Sequence, residues 1–183
     1  MYTIEELKKM GFAYIGKKVK VFKNAKLINP ENIYLGDECQ IDDFVHIIAS
    51  KPIKIGARVH IGCFSSIAGG GEVIIEDYSG LSSGCRLISG SDNFLGDSMT
   101  NPCVPMEFRK VDRSFIHIKK HAILGSNTIV LPGITINEGV ATTVATVVNK
   151  DLDSWKIYAG YSCKCIKNRR KDIILKYEKE LKE

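Results

Sequence analysis

Large aliphatic residues recur along this chain with a period of six, and this period constrains the fold more than any other feature. Up to Leu87 the spacing is six, six and eight in turn, and from Ile118 onward it is six throughout. Neither an α-helix nor a meander of hairpins repeats every six residues. The positions, called anchors below, are Ile15, Val21, Leu27, Leu35, Ile41, Ile47, Ile55, Ile61, Ile67, Ile75, Leu81, Leu87, Ile118, Leu124, Val130, Ile136, Thr142 and Val148. Only Thr142 is not a large aliphatic residue.

Repeats of six are a signature of the parallel β-helix. Three hexads form one triangular coil, whose anchors point inward and stack on those of the next coil. A step of eight, as in GGGEVI, is interpreted as a hexad with two extra residues at one corner. The pattern predicts six coils, starting near residues 15, 35, 55, 75, 118 and 136. A second set of small or apolar residues, four positions after most anchors, supports this phase: Val19, Ala25, Cys39, Val45, Val59, Ser65, Ser79, Cys85, Ala122, Thr128, Ile134, Val140 and Thr146.

Both ends of the chain have helical patterns, which suits a solenoid because its ends need caps. Thr3 followed by Glu6 is a capping box, and Ile173, Tyr177 and Leu181 lie at helical spacing. The predicted organisation is an N-terminal helical cap over 1–14, a β-helix over 15–153 with a loop projecting at 93–117, and a C-terminal segment with a helix over 154–183.

Composition limits what the protein binds. No apolar run is long enough to span a membrane, and MYTIEELKKMGF lacks the apolar stretch of a signal peptide. We therefore expect a cytoplasmic protein without membrane contact. The formal net charge of +5 suits anionic small ligands and does not indicate nucleic acid. The six cysteines match no zinc template, so we predict free thiols.

The stretch LGSNTIVLPGITINEGVATTVATVVNKDLDSWKIYAGYS resembles the hexapeptide-repeat acyltransferases, among them the galactoside, maltose and surface-polysaccharide sugar acetyltransferases. The Ile-Gly hexads and the motifs VLPGITI, VNKD and YAG occur in that family's order, and the resemblance covers nearly the whole chain. It implies an all-β fold, a left-handed parallel β-helix, and a homotrimer. It also implies a sugar acceptor, acetyl-CoA as co-substrate, no metal, and active sites in grooves between subunits.

One departure from the family lies at the root of the projecting loop. Relatives usually carry a histidine there as general base, whereas this chain reads SGSDN. By resemblance, Asp92 would then be the candidate catalytic group. The candidate acceptor-binding residues are Ser89, Ser91, Asn93 and Asn101.

Three explanations of the missing histidine stay open. In the first, the acceptor is an amine of a nucleotide-linked amino-deoxysugar for surface polysaccharide or O-antigen synthesis, because a partly neutral amine needs no base to attack. In the second, the acceptor is a sugar hydroxyl and Asp92 or His60 is the base, although a carboxylate suits that role only if burial raises its pKa. In the third, the protein is a non-catalytic trimeric binding scaffold. We favour the first.

The resemblance also implies which residues bind the acyl donor, acetyl-CoA. Backbone groups of two corners would line the pantetheine arm, and basic residues would contact the phosphates. The residues are Gly125, Ser126 and the stretch from Thr143 to Thr146 for the arm, and Lys150, Lys167 and Arg169 for the phosphates. Relatives often have Gly-Ala where this chain has Thr143-Val144, a change that either narrows the groove or repacks its wall. The remaining histidines, His46, His117 and His121, do not match the spacing of the zinc-binding β-helix carbonic anhydrases.

Overall fold

Three parallel sheets enclose the core of the protein in a computed structural model, which describes residues 1–182. The predicted C-terminal segment 154–183 therefore has its last residue outside the described part. Successive strands move from one sheet to the next, so that each sheet forms one face of a triangular prism. The strands are short because each face of a coil contributes only two or three paired residues, and this arrangement is a parallel β-helix.

The strands of each face, in order along the prism, are as follows. Face one contains Tyr14–Ile15, Ile33–Leu35, Ile53–Ile55, Val73–Ile75, Ile116–Ile118 and Ile134–Ile136. Face two contains Lys20–Val21, Gln40–Ile41, His60–Ile61, Gly80–Leu81, Ile123–Leu124, Ala141–Thr142, Lys156–Ala159 and, antiparallel at its end, Lys164–Asn168. Face three contains Lys26–Ile28, His46–Ile48, Ser66–Ala68, Arg86–Ile88, Ile129–Val130 and Val147–Val148.

The six predicted coils are confirmed, and a seventh begins beyond them. Leu152 bridges to Ile136 on face one, and strand Lys156–Ala159 pairs in parallel with Ala141–Thr142 on face two. The projecting loop does not disturb the stacking. Val73 pairs with Ile53 of the preceding coil on one side and with Ile116 of the following coil on the other.

The core is the column of anchors inside the prism. Every anchor except Ile15 is buried, and Ile15 is partly buried. Burying an aliphatic side chain of this size contributes about 1.5–3 kcal/mol, so the stacked anchors hold the coils together. Ile33, Ile53 and Val73 are also buried, each two residues before an anchor on face one.

The three corners of the prism are named by the residues between the strands. The first corner, between faces one and two, contains residues 16–19, 36–39, 56–59, 76–79, 119–122, 137–140 and 153–155. The second, between faces two and three, contains 22–25, 42–45, 62–65, 82–85, 125–128 and 143–146. The third, between faces three and one, contains 29–32, 49–52, 69–72, the projecting loop, 131–133 and 149–151.

The first corner carries a continuous column of paired side chains. Glu38 forms ion pairs with Lys18 at 3.8 Å and with Arg58 at 2.9 Å. The Arg58 guanidinium lies 5.7 Å from the centre of the Tyr78 ring, which stacks on His121 at 5.3 Å. Each coil thus offers its neighbour a matching partner. The column consists of Lys18, Glu38, Arg58, Tyr78, His121 and Trp155, all with left-handed backbone φ.

Two helices flank the prism. α1, Ile4–Lys9, has the predicted capping box at Thr3 and Glu6, and its Leu7 is buried against the first coil. α2, Asp172–Glu180, returns along the first corner. Among residues 1–182, no helix is both long and apolar enough to cross a membrane.

The contact between α2 and the first corner is an ion-pair cluster around Glu178. Its carboxylate accepts a hydrogen bond from Lys182 at 2.6 Å and lies 2.8 Å from Nε2 of His121, whose side chain is 4% exposed. The hydrogen bonds from Lys182 and from His121 lower the pKa of Glu178 to about 2. The cluster therefore fixes α2 to the coils with a charged carboxylate at neutral pH.

Candidate active site

The projecting loop leaves the coils at the third corner through a short antiparallel hairpin. Its two strands are Gly90–Asp92 and Val111–Arg113, and Asp92 lies opposite Val111. Because the two ends of the loop are joined in this way, its root has a defined position on the fourth coil. Asp92, the candidate catalytic group, stands at the outer end of the first strand.

The three consecutive glycines 69–71 make room for the base of this hairpin. A Cβ atom on Gly71 would overlap the carbonyl oxygen of Ser114, the residue after the second strand. The Gly71 N–H donates to the Ser89 hydroxyl oxygen at 3.0 Å, and that hydroxyl donates to the Ala68 carbonyl at 3.0 Å. The segment read from sequence as a widened corner is therefore also the support of the loop root.

The carboxylate of Asp92 is held by the loop that folds back over it. The Asn101 N–H donates to Asp92 Oδ2 at 3.2 Å, and Asn101 Oδ1 accepts from the Cys103 N–H at 2.9 Å. The Ser91 hydroxyl donates to the Asp92 carbonyl at 3.1 Å. Within residues 1–182, the other carboxylate oxygen of Asp92 has no hydrogen-bond partner, so it is the oxygen that a ligand can reach.

Two of the predicted acceptor-binding residues lie beneath this surface. Ser89 is 1% exposed, and its hydroxyl accepts from the Gly71 N–H and donates to the Ala68 carbonyl beneath the loop root. Asn93 is 5% exposed, and its side-chain oxygen accepts from the Leu95 N–H at 2.8 Å. The structure thus brings Asp92, Ser91 and Asn101 together, while the polar atoms of Ser89 and Asn93 shape the backbone around them.

A cavity of about 680 Å³ opens at the third corner beside the hairpin. Three of the residues that line it are cationic and none is acidic. Sequence analysis missed this cluster, because its members come from two coils and from the far leg of the loop. The lining residues are Ile48, Ser50, Lys51, Gly69, Gly70, Pro102, Arg109 and Arg113.

The second candidate base, His60, lies on face two rather than beside the loop. Its Nε2 is 2.9 Å from Asp42 Oδ2, and the other oxygen of that carboxylate accepts from Gln40 at 2.8 Å. The His60 side chain is about half exposed. The carboxylate orients the imidazole, which is the arrangement of a histidine base. Within this chain, however, His60 and Asp92 belong to different sides of the prism.

The predicted pantetheine-binding residues share the second corner. The Gly125 N–H donates to both the carbonyl and the hydroxyl of Thr142, and the Thr146 hydroxyl donates to the Thr143 carbonyl at 2.9 Å. The carbonyl of Ser126 accepts from Ala145. The bonds between Gly125 and Thr142 and between Ala145 and Ser126 stack the fifth coil on the sixth.

In the described part of the chain, the N–H groups of Ser126 and Val144 have no partner, and the Val144 side chain is 64% exposed. They are the donors that this corner offers to a ligand. The predicted stretch from Thr143 to Thr146 includes Val144, but the sequence could not show which of its backbone groups remain unpaired.

The predicted phosphate-binding residues are spread over the prism. Lys150 lies exposed at the third corner, and Lys167 is exposed on the reversed strand Lys164–Asn168. Arg169 Nη1 donates to the backbone carbonyls of His121 and Gly139 at 2.7 and 3.0 Å. Burial lowers the pKa of the Arg169 guanidinium. This arginine fixes the C-terminal segment to the first corner, so its guanidinium is already bonded within the chain.

No metal centre emerges from residues 1–182, which contain no group of three or more histidine, cysteine or acidic side chains that could hold an ion. His117 and His121 each pair with a glutamate, Glu76 at 2.7 Å and Glu178 at 2.8 Å. His46 is exposed on face three. These histidines have individual surroundings and do not converge.

Comparison with known proteins identifies the family. No family model matches the chain. The chain is 35% identical over 170 residues to a dTDP-4-amino-4,6-dideoxy-D-glucose acyltransferase of Escherichia coli, across 92% of this chain and 88% of that protein. The chain belongs to the hexapeptide-repeat acyltransferases. The predicted family and the acyltransferase activity are thereby confirmed.

Solved structures of acyltransferases match the structure of this chain over most of its length. AntD, an N-acyltransferase from Bacillus cereus in complex with dTDP and 3-hydroxybutyryl-CoA, matches with a TM-score of 0.92 and 34% identity, over 99% of this chain and 96% of AntD. A single-residue mutant of AntD is also known in complex with dTDP-4-amino-4,6-dideoxyglucose and coenzyme A. A maltose O-acetyltransferase from Clostridium difficile matches with a TM-score of 0.60 and 19% identity, over 91% and 74% of the two chains, and shares the fold. The predicted left-handed parallel β-helix is confirmed.

Proposed function

We propose that this acyltransferase moves an acetyl group from acetyl-CoA to the amine of a nucleotide-linked amino-deoxysugar. The observation that carries the proposal is Asp92 at the loop root where relatives usually have a histidine, in a chain 35% identical to an acyltransferase of a dTDP-linked 4-amino sugar. The complex of AntD with such an amino sugar and coenzyme A supports the same pair of substrates. The product would serve surface polysaccharide synthesis.

The chemistry of an amine explains why the site functions without the histidine. An amine of this kind is partly neutral at physiological pH, and its nitrogen lone pair attacks the thioester carbonyl directly. The carbon–sulfur bond then breaks, and the nitrogen loses one proton while the CoA thiolate gains one. No oxidant, metal or additional reactant is required for this exchange. A hydroxyl acceptor, by contrast, needs a base during the attack.

Asp92 is suited to the charge that this reaction creates. One of its carboxylate oxygens has no hydrogen-bond partner in the described chain, while the Asn101 N–H holds the other. A carboxylate in this position attracts the ammonium form of the acceptor and stabilises the positive nitrogen formed after attack. It can also take the released proton and pass it on to the sulfur. Ser91 and Asn101 complete the surface that contacts the sugar.

The active site is formed between subunits in this proposal. The candidate donor residues lie at the second corner, and the loop root lies at the third. One face of the prism separates these corners within a subunit, so a groove that contains both requires another copy of the chain. A homotrimer brings the third corner of one subunit against the second corner of the next. The free cysteines fit a reducing compartment, the cytoplasm.

The donor would occupy the second corner along the fifth and sixth coils. The unpaired N–H groups of Ser126 and Val144 can donate to the amide oxygens of pantetheine, with Gly125, Thr143 and Thr146 forming the wall. Lys150 and Lys167 supply positive charge for the phosphates of the nucleotide end. Arg169 acts indirectly, because its guanidinium already holds the C-terminal segment to the coils.

The test is release of free CoA from acetyl-CoA with two matched panels of acceptors. One panel holds nucleotide-linked sugars with an amine, and the other holds the same sugars with a hydroxyl at that position. Turnover on the amine panel alone is the expected result. Turnover on the hydroxyl panel alone would overturn the proposal, and adding 3-hydroxybutyryl-CoA as a second donor would show which acyl group is preferred.

A second candidate function is O-acetylation of a sugar, and one observation favours it. His60 is oriented by Asp42, and this pair could act as a base if a neighbouring subunit brings the acceptor to face two. Replacing His60 by alanine would then abolish turnover on hydroxyls. His46→Ala, on the exposed surface of face three, is the matched control. Unchanged turnover in His60→Ala would remove this candidate.

A further inference from the structure

The cationic cavity beside the hairpin has a composition that differs from the rest of the surface. Lys51, Arg109 and Arg113 line it together, without any acidic residue. Elsewhere in residues 1–182 twelve ion pairs are formed, and none of these three side chains takes part in one. Three cations held around one space without counter-charges repel one another, so an anion in that space would stabilise them.

Arg109 gives the strongest indication that a ligand belongs here. Its Nε atom is buried and has no hydrogen-bond partner among the described residues. A buried donor without a partner costs about 1–3 kcal/mol, and more when it is charged. An acceptor oxygen supplied by a ligand would remove this cost. Strand pairing fixes the backbone nearby, since Arg109 forms a bridge with Met99 across the loop.

The floor of the cavity lets an anion approach closely. Gly70 has φ of +83°, and a Cβ atom there would lie 2.8 Å from Nε of Arg113. Because glycine has no Cβ, the Arg113 side chain packs directly against the backbone of Gly70 in the lining of the cavity. Guanidinium groups bind phosphate through two parallel hydrogen bonds. Two of them with a lysine form a set of donors suited to a diphosphate.

The cavity also lies close enough to Asp92, the candidate catalytic group, for one sugar to span the distance between them. Arg113 pairs with Gly90, and Asp92 lies two residues further along the same strand. Two residues of a strand span roughly 7 Å. A sugar whose phosphate is held by Arg113 therefore has its far side near Asp92, which is the placement that an amine opposite the glycosidic phosphate requires.

We propose that Lys51, Arg109 and Arg113 bind the diphosphate of the nucleotide-linked acceptor and so restrict the enzyme to sugars attached to a nucleoside diphosphate. The inference rests on the proposed function for the identity of the acceptor. Free sugars and neutral glycosides lack the group that the cluster recognises, so they would be poor substrates even with the correct amine. Coenzyme A also carries a diphosphate, and the experiment has to separate the two sources.

The experiment is titration calorimetry of the intact protein with dTDP and, separately, with coenzyme A. The variants are the double substitution Arg109→Ala with Arg113→Ala, and the single substitution Lys51→Ala. Lys110→Ala is the matched control, because Lys110 neighbours Arg109 but pairs with Asp112 instead of lining the cavity. Thermal melting of each variant verifies that it is folded. Because Lys51 is exposed, its substitution tests the site independently of any effect of the double substitution on folding.

The expected result is a loss of dTDP affinity of about tenfold for each charged hydrogen-bonding side chain removed, hence about a hundredfold in the double variant. Lys51→Ala should lose less, and Lys110→Ala should match the wild type. Coenzyme A affinity should be unchanged in all of them. Unchanged dTDP affinity in the double variant would overturn the inference, as would absence of dTDP binding by the wild type or a loss confined to coenzyme A.

The titration contains no turnover, so this inference and the proposed function can fail separately. Loss of dTDP affinity in a protein that acetylates no amino sugar would leave the diphosphate site standing and refute the proposed function. Acetylation of nucleotide-linked amines by a double variant with wild-type dTDP affinity would refute the site alone.

Discussion

The first and third corners of the prism both carry charged side chains. At the first corner these side chains form ion pairs, whereas two arginines at the third corner form none within residues 1–182. At the first corner Glu38 pairs with Arg58, and His121 pairs with Glu178. At the third corner Arg109 and Arg113 have no counter-charge in the described chain, and one Arg109 nitrogen is buried without a partner. Both corners contain charged residues near aromatic or glycine positions, so composition alone does not distinguish them.

The difference predicts which corner serves stability and which serves ligands. Polar groups that satisfy one another within the chain add rigidity and offer nothing to a substrate. Groups held in place without partners raise the energy of the free protein slightly and lower that of the complex. Substitutions at the first corner should therefore change unfolding, and those at the third corner should change turnover or binding.

The largest expected effect is at the third corner, with Asp92→Asn. Loss of a group that handles a proton or stabilises the positive nitrogen should reduce kcat on the amine acceptor by about 10²- to 10⁴-fold. Asparagine can still accept from the Asn101 N–H, so the melting temperature should be unchanged. Steady-state CoA release measures the effect, with Asp97→Asn in the exposed part of the loop as control. A near wild-type rate would remove Asp92 from the mechanism.

Gly71→Ala should follow, because its Cβ would overlap the Ser114 carbonyl beneath the hairpin. We expect the free energy of unfolding to fall by about 3 kcal/mol, the upper end for a single substitution, together with a loss of turnover as the loop root shifts. Urea unfolding and CoA release measure the two effects. Gly11→Ala is the comparison, since a Cβ there meets nothing within 4 Å and only the left-handed φ of +77° strains the alanine, at a cost of roughly 1–2 kcal/mol. Equal effects of both substitutions would contradict the interpretation that glycines 69–71 make room for the base of the hairpin.

At the first corner, Glu178→Gln should lower the free energy of unfolding at pH 7 by about 1–2 kcal/mol, through weaker hydrogen bonds from Lys182 and His121. Turnover should be unchanged. Glu180→Gln, on the exposed end of α2, is the control because its side chain is 54% exposed.

The lowered pKa of Glu178 also predicts how the stability of the protein depends on pH. The pKa of Glu178 is about 2 in the folded protein against an ordinary value of 4.5, so the stabilisation is fully present above about pH 5 and is lost as pH falls towards 2. The difference between wild type and Glu178→Gln should shrink over that window in urea titrations. A difference that grows on acidification would contradict the assignment.

The smallest effect is expected for Lys18→Ala at the end of the same column. The Lys18 side chain is 80% exposed and 3.8 Å from Glu38, and such exposed pairs contribute about 0.2–1 kcal/mol or less. Urea unfolding should show a change near the limit of measurement and no change in turnover. A loss well above 1 kcal/mol would mean that the column is cooperative along its whole length.

The sequence predicted the coils because inward-facing anchors dominate the stability of a solenoid. It missed Ile33, Ile53 and Val73 as core residues, since the steps of eight were interpreted only as wider corners. Side chains alternate between the two sides of a strand. A residue two positions before an anchor therefore also points inward wherever the strand is long enough, as it is on face one.

The site was less predictable, because its geometry depends on contacts between distant segments. The interrupted repeat located the loop root and Asp92. It did not indicate that Asn101 folds back onto Asp92, or that Arg109 and Lys51 meet across the third corner. Nor did it show that the chain reverses after Ala159, which directs Arg169 to the first corner.

The pairing around Val73 has a consequence for how substrate choice can change. Val73 pairs with Ile53, twenty residues earlier, and with Ile116, forty-three residues later. The entropy lost on closing a connection grows with the logarithm of its length, so roughly one doubling adds only about 0.6 kcal/mol. The coils align across the loop almost as easily as across an ordinary turn. The projecting loop, which we propose to select the acceptor, can thus be exchanged while the solenoid continues to assemble as before.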